Sequence, residues 1–331
     1  MKLAVVGAGS WGTALASVLA ANGHDVCIWA RNAEVVETIN TQHFNPRYLS
    51  DVVLSERLHA SLSYEEVFDG AHAAVIVTPS KIFREVAQAI APYASESLPI
   101  VLCSKGIEEA SGKVGVEVFE DVLGNASRLA VLSGPNHAEE VILGIPAATV
   151  IAAQNEDVAR FFQDCFASNT FRTYLSEDVM GVELCAAFKN VIAIAVGISY
   201  GIGFGDNTAA MIQTRGLAEM SRLVVSCGGQ ALTCMGLAGA GDLVVTCMSK
   251  HSRNRRFGEM IAAGLSLDDF TEQTHMVAEG AYACKALNKL AKQRGVDLPI
   301  TALVNAIVWE GANLEEEVAK LTERPLNKEF Y

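Results

Sequence analysis

A lysine inside an apolar segment is the first candidate for acid–base chemistry. Lys189 lies in the run AAFKN, within a predicted helix apolar enough that the neighbours of the lysine must be buried. Lysine is almost never fully buried without a partner, so this side chain either faces a cleft or extends along apolar surface to reach water. In a cleft, desolvation or a nearby cation lowers the pKa of the ammonium group toward the range useful for proton transfer. The residues alone favour the two alternatives equally.

A carboxylate stands at a glycine-rich turn. In the run GAGDL, Asp242 opens a predicted helix, and Thr246 follows one helical turn later on the same face. A carboxylate beside a hydroxyl can orient a lysine or a substrate. The alternative is that Asp242 only caps the helix.

Ser252, Arg253 and Asn254 supply a hydroxyl, a guanidinium and an amide in succession. This set suits a phosphate monoester, because arginine pairs with phosphate through charge-assisted hydrogen bonds. Arg255 and Arg256 extend the positive charge. A solvated basic turn is the competing interpretation.

Two further polar segments each follow a predicted strand. Lys105 lies in SKG, after one strand, and Gly134 and Asn136 lie in SGPN, after another. Ligands of open α/β sheets bind beyond the carboxyl ends of the strands. Both segments therefore stand where a site is expected.

The amino-terminal glycines predict a dinucleotide site. The run GAGSWG, from Gly7 to Gly12, fits G-x-G-x-x-G, directly follows an apolar strand pattern and opens a helix pattern. In this context Gly7 takes the tight turn, Gly9 lets a pyrophosphate approach the backbone, and Gly12 admits close helix–strand packing. The N–H groups of the helix N-terminus then face the diphosphate. The motif by itself is weak evidence, but the β-α-β setting favours a dinucleotide site over a glycine-rich turn with no ligand.

The residues at the end of the second predicted strand indicate whether the cofactor is NAD(H) or NADP(H). NAD-specific enzymes commonly place Asp or Glu there, whereas this chain reads WARN. Arg31 is able to pair with the 2′-phosphate of NADP. The sequence thus favours NADP(H), with NAD(H) also possible, although an exposed arginine at a strand end is also an ordinary surface residue.

Alternating patterns along the chain indicate an α/β fold. Helical patterns at 13–21, 82–90 and 114–122 separate some of the apolar strand patterns, which are 2–6, 25–29, 73–77, 100–103, 129–132, 148–152 and 171–174. This alternation predicts a Rossmann-like, doubly wound, mostly parallel sheet. From about residue 179 only helical patterns remain, namely 182–198, 211–227, 255–263, 280–294 and 300–309.

These patterns predict two domains. Residues 1–188 would form the NAD(P)-binding domain and residues 189–331 an all-helical substrate-binding and catalytic domain, with the helix of Lys189 able to straddle the boundary. A chain of 331 residues is longer than one hydrophobic core usually serves.

Charge and composition exclude several classes of partner. The net charge of −13 argues against a nucleic acid or an anionic membrane surface, because both repel a negative protein. The eight cysteines include no C-x-x-C pair, so we expect no metal site and reduced thiols in a cytoplasmic protein. Glycines interrupt both the opening apolar stretch and the run 191–204, so we expect neither a signal peptide nor an integral membrane segment.

Motifs spread over the chain resemble those of one enzyme family. In order, they are VVGAGSWGTALA, VTPS, SKGIE, SGPNHAEEV, AAFKNVIAIAVGI, GLAGAGDLVVTC, SRNRRFG and VAEGAY. Together they resemble the NAD(P)-dependent glycerol-3-phosphate dehydrogenases in their bacterial form. The resemblance implies reduction of dihydroxyacetone phosphate to sn-glycerol 3-phosphate by hydride from the nicotinamide. It also implies supply of glycerol 3-phosphate for phospholipid synthesis in a bacterial cytoplasm.

The resemblance also implies roles for individual residues. Lys189 would be the general acid and base, and Lys105 would neighbour both substrate and cofactor. Asp242, with Asn190 and Thr246 as weaker candidates, would orient the lysine or the substrate. The implied substrate-binding residues are Lys105, Gly134, Asn136, Lys189, Asp242, Ser252, Arg253 and Asn254. The implied cofactor-binding residues are Gly7, Gly9, Ser10, Trp11, Gly12, Arg31, Lys105, Ala138, Arg253, Val277 and Glu279. A helical second domain often supports a homodimer, which we expect here.

One departure from the family pattern concerns the segment after Gly134. Family members commonly carry Ser-Phe after the Gly-Pro, whereas this chain has Asn136 and His137. An amide can replace a hydroxyl in hydrogen bonding, so we expect binding to survive and His137 to be a bystander. Two alternatives remain open: a related β-hydroxy-acid dehydrogenase, and a non-catalytic NAD(P)-sensing protein.

Overall fold

A sheet of eight strands forms the first half of the protein, in a computed structural model that describes residues 1–250, 252–274, 276–325 and 328–329. The strands are β1 (Lys2–Val6), β2 (Asp25–Trp29), β3 (Leu58–Ser61), β4 (Ala73–Ile76), β5 (Ile100–Leu102), β6 (Leu129–Ser133), β7 (Ala147–Ala153) and β8 (Phe171–Ser176). Their order across the sheet is β3-β2-β1-β4-β5-β6-β7-β8. All neighbours are parallel except β6 and β7, which are antiparallel.

Helices cover both faces of this sheet. They are α1 (Ser10–Ala21), α2 (Ala33–Gln42), α3 (Tyr64–Phe68), α4 (Phe83–Ile90), α5 (Gly115–Leu123), α6 (Ala138–Val141) and α7 (Glu156–Phe166). On β1, Leu3 and Val5 belong to the core on the α1 side, whereas Ala4 and Val6 belong to the core around Phe83. Side chains that alternate between two apolar layers are typical of a strand buried on both faces.

The strand order changes direction beside β1. The chain runs from β1 through β2 to β3 on one side, and returns to β4 on the other, where Val5 lies opposite both Ile28 of β2 and Val75 of β4. In doubly wound sheets a crevice opens at such a reversal, beyond the carboxyl ends of the strands. The glycine-rich turn after β1 lies at that point.

The second half of the described chain is helical. It contains α8 (Val179–Gly201), α9 (Asp206–Ser226), α10 (Asp242–Met248), α11 (Arg253–Ala262), α12 (Leu267–Thr274), α13 (Glu279–Arg294), α14 (Pro299–Trp309) and α15 (Leu314–Thr322). Helix α8 is apolar on all sides, and 94% of its most apolar window is buried, so it is a core helix although its length and composition would allow it to cross a bilayer. The prediction of a buried helix at this position is confirmed.

Glycines let α11 pack unusually close to α8. A Cβ added to Gly258 of α11 would lie 2.1 Å from the carbonyl oxygen of Ile194. A Cβ added to Gly197 of α8 would lie 2.0 Å from the carbonyl oxygen of Arg255. Backbones at this separation leave no room for a side chain, so the start of α11 has a fixed position relative to α8.

A buried carboxylate ties α8 to the sheet domain. Both oxygens of Glu183 lie 3.2 Å from the amide nitrogen of Val116, in the first turn of α5. Burial raises the pKa of Glu183 to about 8, although hydrogen bonds from that helix end oppose the shift. The α5 N-terminus thus holds the segment of α8 that precedes Lys189.

The predicted α/β sheet followed by helices is confirmed, with specific omissions. The strand patterns correspond to β1, β2 and β4 to β8, but β3 and the helices α2, α3, α6, α7, α12 and α15 were not predicted. The proposed division between residues 188 and 189 falls inside α8, as anticipated for the helix of Lys189. The division into domains 1–188 and 189–331 stays a prediction.

Candidate active site

One carboxylate holds two lysines from distant parts of the chain. The Nζ atom of Lys189 donates a hydrogen bond of 2.6 Å to Oδ1 of Asp242, and Nζ of Lys105 donates one of 2.6 Å to Oδ2. Lys189 also donates to Oγ1 of Thr246 at 2.8 Å, and Lys105 to the carbonyl of Gly134 at 3.2 Å. The Asp242 side chain is only 1% exposed, so two neighbouring cations compensate a charge that would be costly to bury alone.

Three separate elements bring these groups together. Lys105 follows β5, Lys189 lies on α8, and Asp242 is the first residue of α10, directly after the π-helical turn Leu237–Gly241. Gly241 occupies the N-cap position of α10, and no side chain caps that helix. The Asp242 carboxylate therefore accepts hydrogen bonds from the two lysines, and the alternative that Asp242 only caps the helix is wrong.

Burial sets the acidity of the central lysine. The pKa of Lys189 is lowered to about 8, mainly by desolvation and also by the positive charge of Lys105, while Asp242 opposes the shift. The ammonium group is buried and hydrogen-bonded rather than extended to water. A lysine with a pKa near 8 can both give and accept a proton under physiological conditions.

The N-terminus of α11 is fastened beside Lys189. Nδ2 of Asn254 donates to Oδ1 of Asn190 at 3.0 Å, and Oδ1 of Asn254 accepts from the amide of Gly280 at 2.9 Å. The Ser252 side chain caps α11 by accepting from the amide of Arg255. This end of a ten-residue helix offers N–H groups and a positive dipole to an anion.

The arginines of this segment differ in their surroundings. Arg253 is exposed, and among the described residues no hydrogen bond or ion pair engages its guanidinium. Arg255 instead pairs with Glu259 at 2.9 Å and stacks on the ring of Tyr200 at 4.8 Å from the centroid. Arg255 is thus engaged in packing, whereas Arg253 is available to a ligand.

Glu279 opens α13 near the same cations. Burial raises the pKa of its carboxyl, and the charges of Arg253, Lys105 and Lys189 oppose that shift. Val277, which precedes it, is half-buried. Glu279 therefore lies near Arg253 and the two lysines, and Val277 stands two residues before it.

The three glycines of the first turn have different constraints. Gly7 has a positive φ of 116°, and a Cβ there would lie 2.4 Å from the carbonyl oxygen of Val77. A Cβ on Gly12 would lie 1.8 Å from the carbonyl oxygen of Gly7, whereas a Cβ on Gly9 would meet nothing within 4 Å. Protein packing thus requires Gly7 and Gly12 but leaves open space at Gly9, as expected where a pyrophosphate approaches.

The start of α1 completes a cradle that fits a dinucleotide. Helix α1 begins at Ser10 without a side-chain cap, which leaves its first N–H groups for an anion. The indole Nε1 of Trp11 donates to the carbonyl of Cys103 at 3.2 Å, linking this helix end to the segment that carries Lys105. Of the remaining predicted cofactor residues, Ala138 is buried at the start of α6 and Arg31 is exposed just after β2.

Several buried polar atoms cluster at the carboxyl edge of the sheet. Within the described part of the chain no hydrogen-bond partner is present for Oγ1 of Thr78, Oγ of Ser104, Oγ of Ser133, Oδ1 of Asn136 or Oγ1 of Thr149. A buried polar atom without a partner costs about 1–3 kcal/mol, so groups of this kind are expected to bond to a ligand or water. Thr78 and Thr149 were not predicted from the sequence. For Thr78, its position after a strand pattern could have indicated a site residue; for Thr149, no sequence signal was present.

Asn136 and His137, which stand where family members commonly carry Ser-Phe, have defined surroundings in the structure. Nδ2 of Asn136 donates to the carbonyl of Ala148 at 2.9 Å, which fixes the amide against β7. Burial lowers the pKa of His137, and the charge of Lys189 lowers it further. His137 is therefore neutral near pH 7, and its role as a bystander stays a prediction.

Comparisons with known proteins extend over the whole chain. Residues 2–159 match the family model of the NAD-dependent glycerol-3-phosphate dehydrogenase N-terminus, and residues 178–319 match the model of the C-terminus. A glycerol-3-phosphate dehydrogenase [NAD(P)+] from Chlorobium phaeobacteroides is 45% identical over 100% of both chains. One from Nitratidesulfovibrio vulgaris is 46% identical over 99% of this chain and 100% of the relative.

Solved structures agree with this similarity. The crystal structure of glycerol-3-phosphate dehydrogenase from Coxiella burnetii has a TM-score of 0.93 and 36% identity, and covers 98% of this chain and 99% of its own. A D-mandelate dehydrogenase with NADH has a TM-score of 0.65 at 15% identity, covers 97% of this chain and 100% of its own, and shares the fold alone.

Proposed function

This chain belongs to the NAD-dependent glycerol-3-phosphate dehydrogenase family, and we propose that Lys189 is the proton donor in the reaction of that family. The enzyme interconverts dihydroxyacetone phosphate and sn-glycerol 3-phosphate with NAD(P)(H). The observation that carries the proposal is the buried Asp242 carboxylate shared by Lys105 and Lys189. It holds two cations at one point beside the carboxyl edge of the sheet.

The cofactor fits the amino-terminal cradle. When bound, NAD(P)H supplies the hydride. Gly9 and the N–H groups of α1 would hold its diphosphate, because no protein atom occupies the space beside Gly9. The other residues that would line it are Gly7, Ser10, Trp11, Gly12, Arg31, Lys105, Ala138, Arg253, Val277 and Glu279.

The two lysines would have different roles at the substrate carbonyl. Lys189 gives its proton to the carbonyl oxygen of dihydroxyacetone phosphate during reduction, and takes the proton back from the alcohol during oxidation. Lys105 stabilises the negative charge that develops on that oxygen. Asp242 orients both ammonium groups and keeps the pKa of Lys189 from falling further. Thr246 holds Lys189 from a second side.

The substrate phosphate would bind at the N-terminus of α11. The exposed guanidinium of Arg253 and the first N–H groups of the helix attract a phosphate dianion. Gly134, Asn136, Ser252 and Asn254 complete the substrate pocket. Asn254 acts partly through its bond to Asn190, which fixes the pocket to α8 next to Lys189.

We propose that NADP(H) is the preferred cofactor, supported by exposed Arg31 at the end of β2.

The wider biological role follows from the product of the reaction. Glycerol 3-phosphate would then be made for phospholipid synthesis in a bacterial cytoplasm. We further propose a homodimer of subunits divided at residues 188 and 189.

A substrate panel tests the activity and separates it from the nearest alternative. Purified protein is assayed with dihydroxyacetone phosphate and with β-keto acids, each with NADPH and NADH. The proposal requires turnover of the phosphorylated ketone, whereas a β-hydroxy-acid dehydrogenase would prefer a substrate that ends in a carboxylate.

A lysine variant tests the mechanism. Lys189→Ala should lower kcat by about 100-fold or more, because the proton donor is removed, while NADPH binding persists because the glycine-rich turn is unchanged. Wild-type turnover in this variant would exclude Lys189 as the acid. A wild-type protein that binds NADPH but turns over no ketone would instead indicate a sensing protein.

A further inference from the structure

Residues 104–114, between β5 and α5, form the loop that carries Lys105, and we call this segment the Lys105 loop. The loop turns back on itself, because Ile107 and Val114 pair in an antiparallel bridge. Lys105 stands just before this bridge, and Glu108 follows three residues after Lys105. A contact that fixes the bridge and Glu108 therefore also fixes the backbone from which the Lys105 side chain extends.

An arginine on α4 holds the first part of this loop. Nε of Arg84 donates to Oε1 of Glu108 at 2.9 Å, and Nη2 of Arg84 donates to Oε2 at 2.8 Å. The Glu108 side chain is only 14% exposed, and the hydrogen bonds from Arg84 hold the pKa of its carboxyl below the ordinary value. Two parallel charge-assisted hydrogen bonds fix orientation as well as distance. The pair thus fastens the Lys105 loop to the sheet domain in one geometry.

Other ion pairs of the loop are more exposed. Nζ of Lys285 on α13 lies 2.6 Å from Oε1 of Glu109, and both side chains are nearly half exposed. Nζ of Lys113 lies 2.7 Å from both carboxylate oxygens of Asp121 on α5, again with both side chains partly exposed. Exposed pairs hold geometry weakly, because water competes for both partners. The contact of Arg84 with the loop is therefore the one most able to fix its position.

We propose that Arg84 is a positioning residue for the reaction: through Glu108 it keeps the Lys105 ammonium group beside the substrate carbonyl. Lysine has a long flexible stem, so a loosened loop would let this ammonium group leave the Asp242 carboxylate for part of the time. A displacement of about 1 Å at a reacting centre can cost up to about 100-fold in rate. This inference rests on the proposed role of Lys105.

The acidity of Lys189 reports the position of Lys105. Desolvation and, to a smaller extent, the charge of Lys105 lower the pKa of Lys189, so displacement of Lys105 lets that pKa rise. Other charged or titratable groups near Lys189, none of which belongs to the Lys105 loop, are Asp242, His137, Glu279 and Cys247. Ketone reduction needs Lys189 protonated. Displacement of Lys105 should therefore move the fall of kcat/KM with pH to more alkaline values.

Rates of reduction across pH test the proposal. Values of kcat/KM for dihydroxyacetone phosphate at saturating NADPH are measured from pH ~6 to ~10 for wild type, Arg84→Gln, Glu108→Gln and the double variant. Each variant should lose about tenfold in kcat/KM near neutral pH, and the double variant should lose no more than either single one, because all three break the same interaction.

The direction of the pH shift separates positioning from simple charge. Through space alone, loss of the Arg84 cation would raise the pKa of Lys189, and loss of the Glu108 anion would lower it. A displaced Lys105 raises that pKa in both variants. The proposal therefore requires an alkaline shift of the profile in Arg84→Gln and in Glu108→Gln alike.

Lys113 offers a matched control. Arg84 also donates to Asp121, at 3.2 Å, so both cations belong to one cluster. Their side chains are 39% exposed for Lys113 and 35% for Arg84. Lys113→Gln removes the same charge but leaves the bonds of Arg84 to Glu108, so kcat/KM should stay within about twofold of wild type. Thermal unfolding shows whether each variant is folded at the assay temperature. If Arg84→Gln is not, Arg84→Lys replaces it, since this variant keeps the charge without the paired hydrogen bonds.

Two outcomes would overturn the inference. One is a pair of profiles that move in opposite directions in Arg84→Gln and Glu108→Gln; the other is an Arg84 variant that behaves like Lys113→Gln. Lys105→Ala is assayed in parallel to separate this inference from the proposed function. Undiminished activity in Lys105→Ala would refute the role of Lys105 itself, and the inference with it. A large loss in Lys105→Ala beside unchanged activity in the Arg84 variant would refute the inference alone.

Discussion

Lys189 donates a 2.6 Å hydrogen bond to Asp242, although 53 residues separate them in sequence. The bond lies in a buried site where the second oxygen of the same carboxylate holds Lys105. The proton on Lys189 therefore depends on a balance between burial, one anion and one cation. The first two predictions follow from that balance.

The two directions of the reaction should depend oppositely on pH. Ketone reduction needs Lys189 protonated, so kcat/KM for dihydroxyacetone phosphate should fall as pH rises through about 8. Oxidation of glycerol 3-phosphate needs the neutral amine, so its kcat/KM should rise through the same pH. Initial rates with saturating cofactor from pH ~6 to ~10 check this. Parallel profiles in the two directions would contradict the assignment of the proton to Lys189.

Asp242→Asn should shift the reduction profile toward acid. The carboxylate raises the pKa of Lys189, so its removal lets that pKa fall below about 8. We expect kcat for reduction to drop by about 100-fold at neutral pH and its descending limb to move to lower pH. Thr246→Ser, which keeps the hydroxyl, is the control. A slower enzyme with an unshifted profile would show that Asp242 acts only on the substrate.

Two glycine substitutions in one turn should fail for different reasons. Gly12→Ala places a Cβ 1.8 Å from the carbonyl oxygen of Gly7, so it should lower the free energy of unfolding by about 3 kcal/mol or more. Gly9→Ala meets no protein atom within 4 Å, so it should fold normally but weaken NADPH binding by about tenfold or more. Thermal unfolding and fluorescence titration of both variants separate the effects. Undiminished NADPH binding by Gly9→Ala would mean that no pyrophosphate approaches there.

Glu183→Gln should flatten the dependence of stability on pH. The pKa of Glu183 is about 8 in the folded protein, against an ordinary value of 4.5 for glutamate. The native state therefore holds a proton that the unfolded chain releases, and stability falls as pH rises from about 4.5 to about 8. The variant should lose part of this fall, so its Tm should exceed that of wild type by several degrees near pH 9 and match it near pH 5.

A second buried carboxylate keeps the stability of the Glu183→Gln variant partly dependent on pH. Glu219 accepts from the amides of Ile300 and Thr301, and burial raises its pKa to about 7. It contributes a fall in stability of the same sign, which Glu183→Gln leaves in place. A pH slope identical to that of wild type would contradict the role of Glu183.

The sequence was most informative where function depends on local spacing. The glycine turn, its following helix and the polar segments after β5 and β6 could all be predicted, because each depends on residues within one β-α unit. Lys105, Lys189 and Asp242 could be singled out as well. Their shared hydrogen bonds could not, because 137 residues separate Lys105 from Asp242 and only tertiary packing joins them.

What the sequence did not predict has identifiable physical causes. Strand β3 has only four residues, LHAS, which alternate apolar and polar but include no β-branched or aromatic residue to signal a strand. The antiparallel direction of β7 was also not predicted, because side-chain periodicity is the same in both directions. Asn45 looks like an ordinary turn residue in the run HFNPRY, since nothing local shows that its amide reaches Ala8.

The largely apolar composition of α8 has a consequence for the newly made chain. Its 23 residues pack against α9, α11 and α13, all of which follow it in sequence. While the ribosome is still making those partners, a segment that hydropathy alone would assign to a membrane has no core to enter. Molecular chaperones should therefore matter most for this protein between synthesis of residue 201 and residue 294, and truncations within that interval should aggregate.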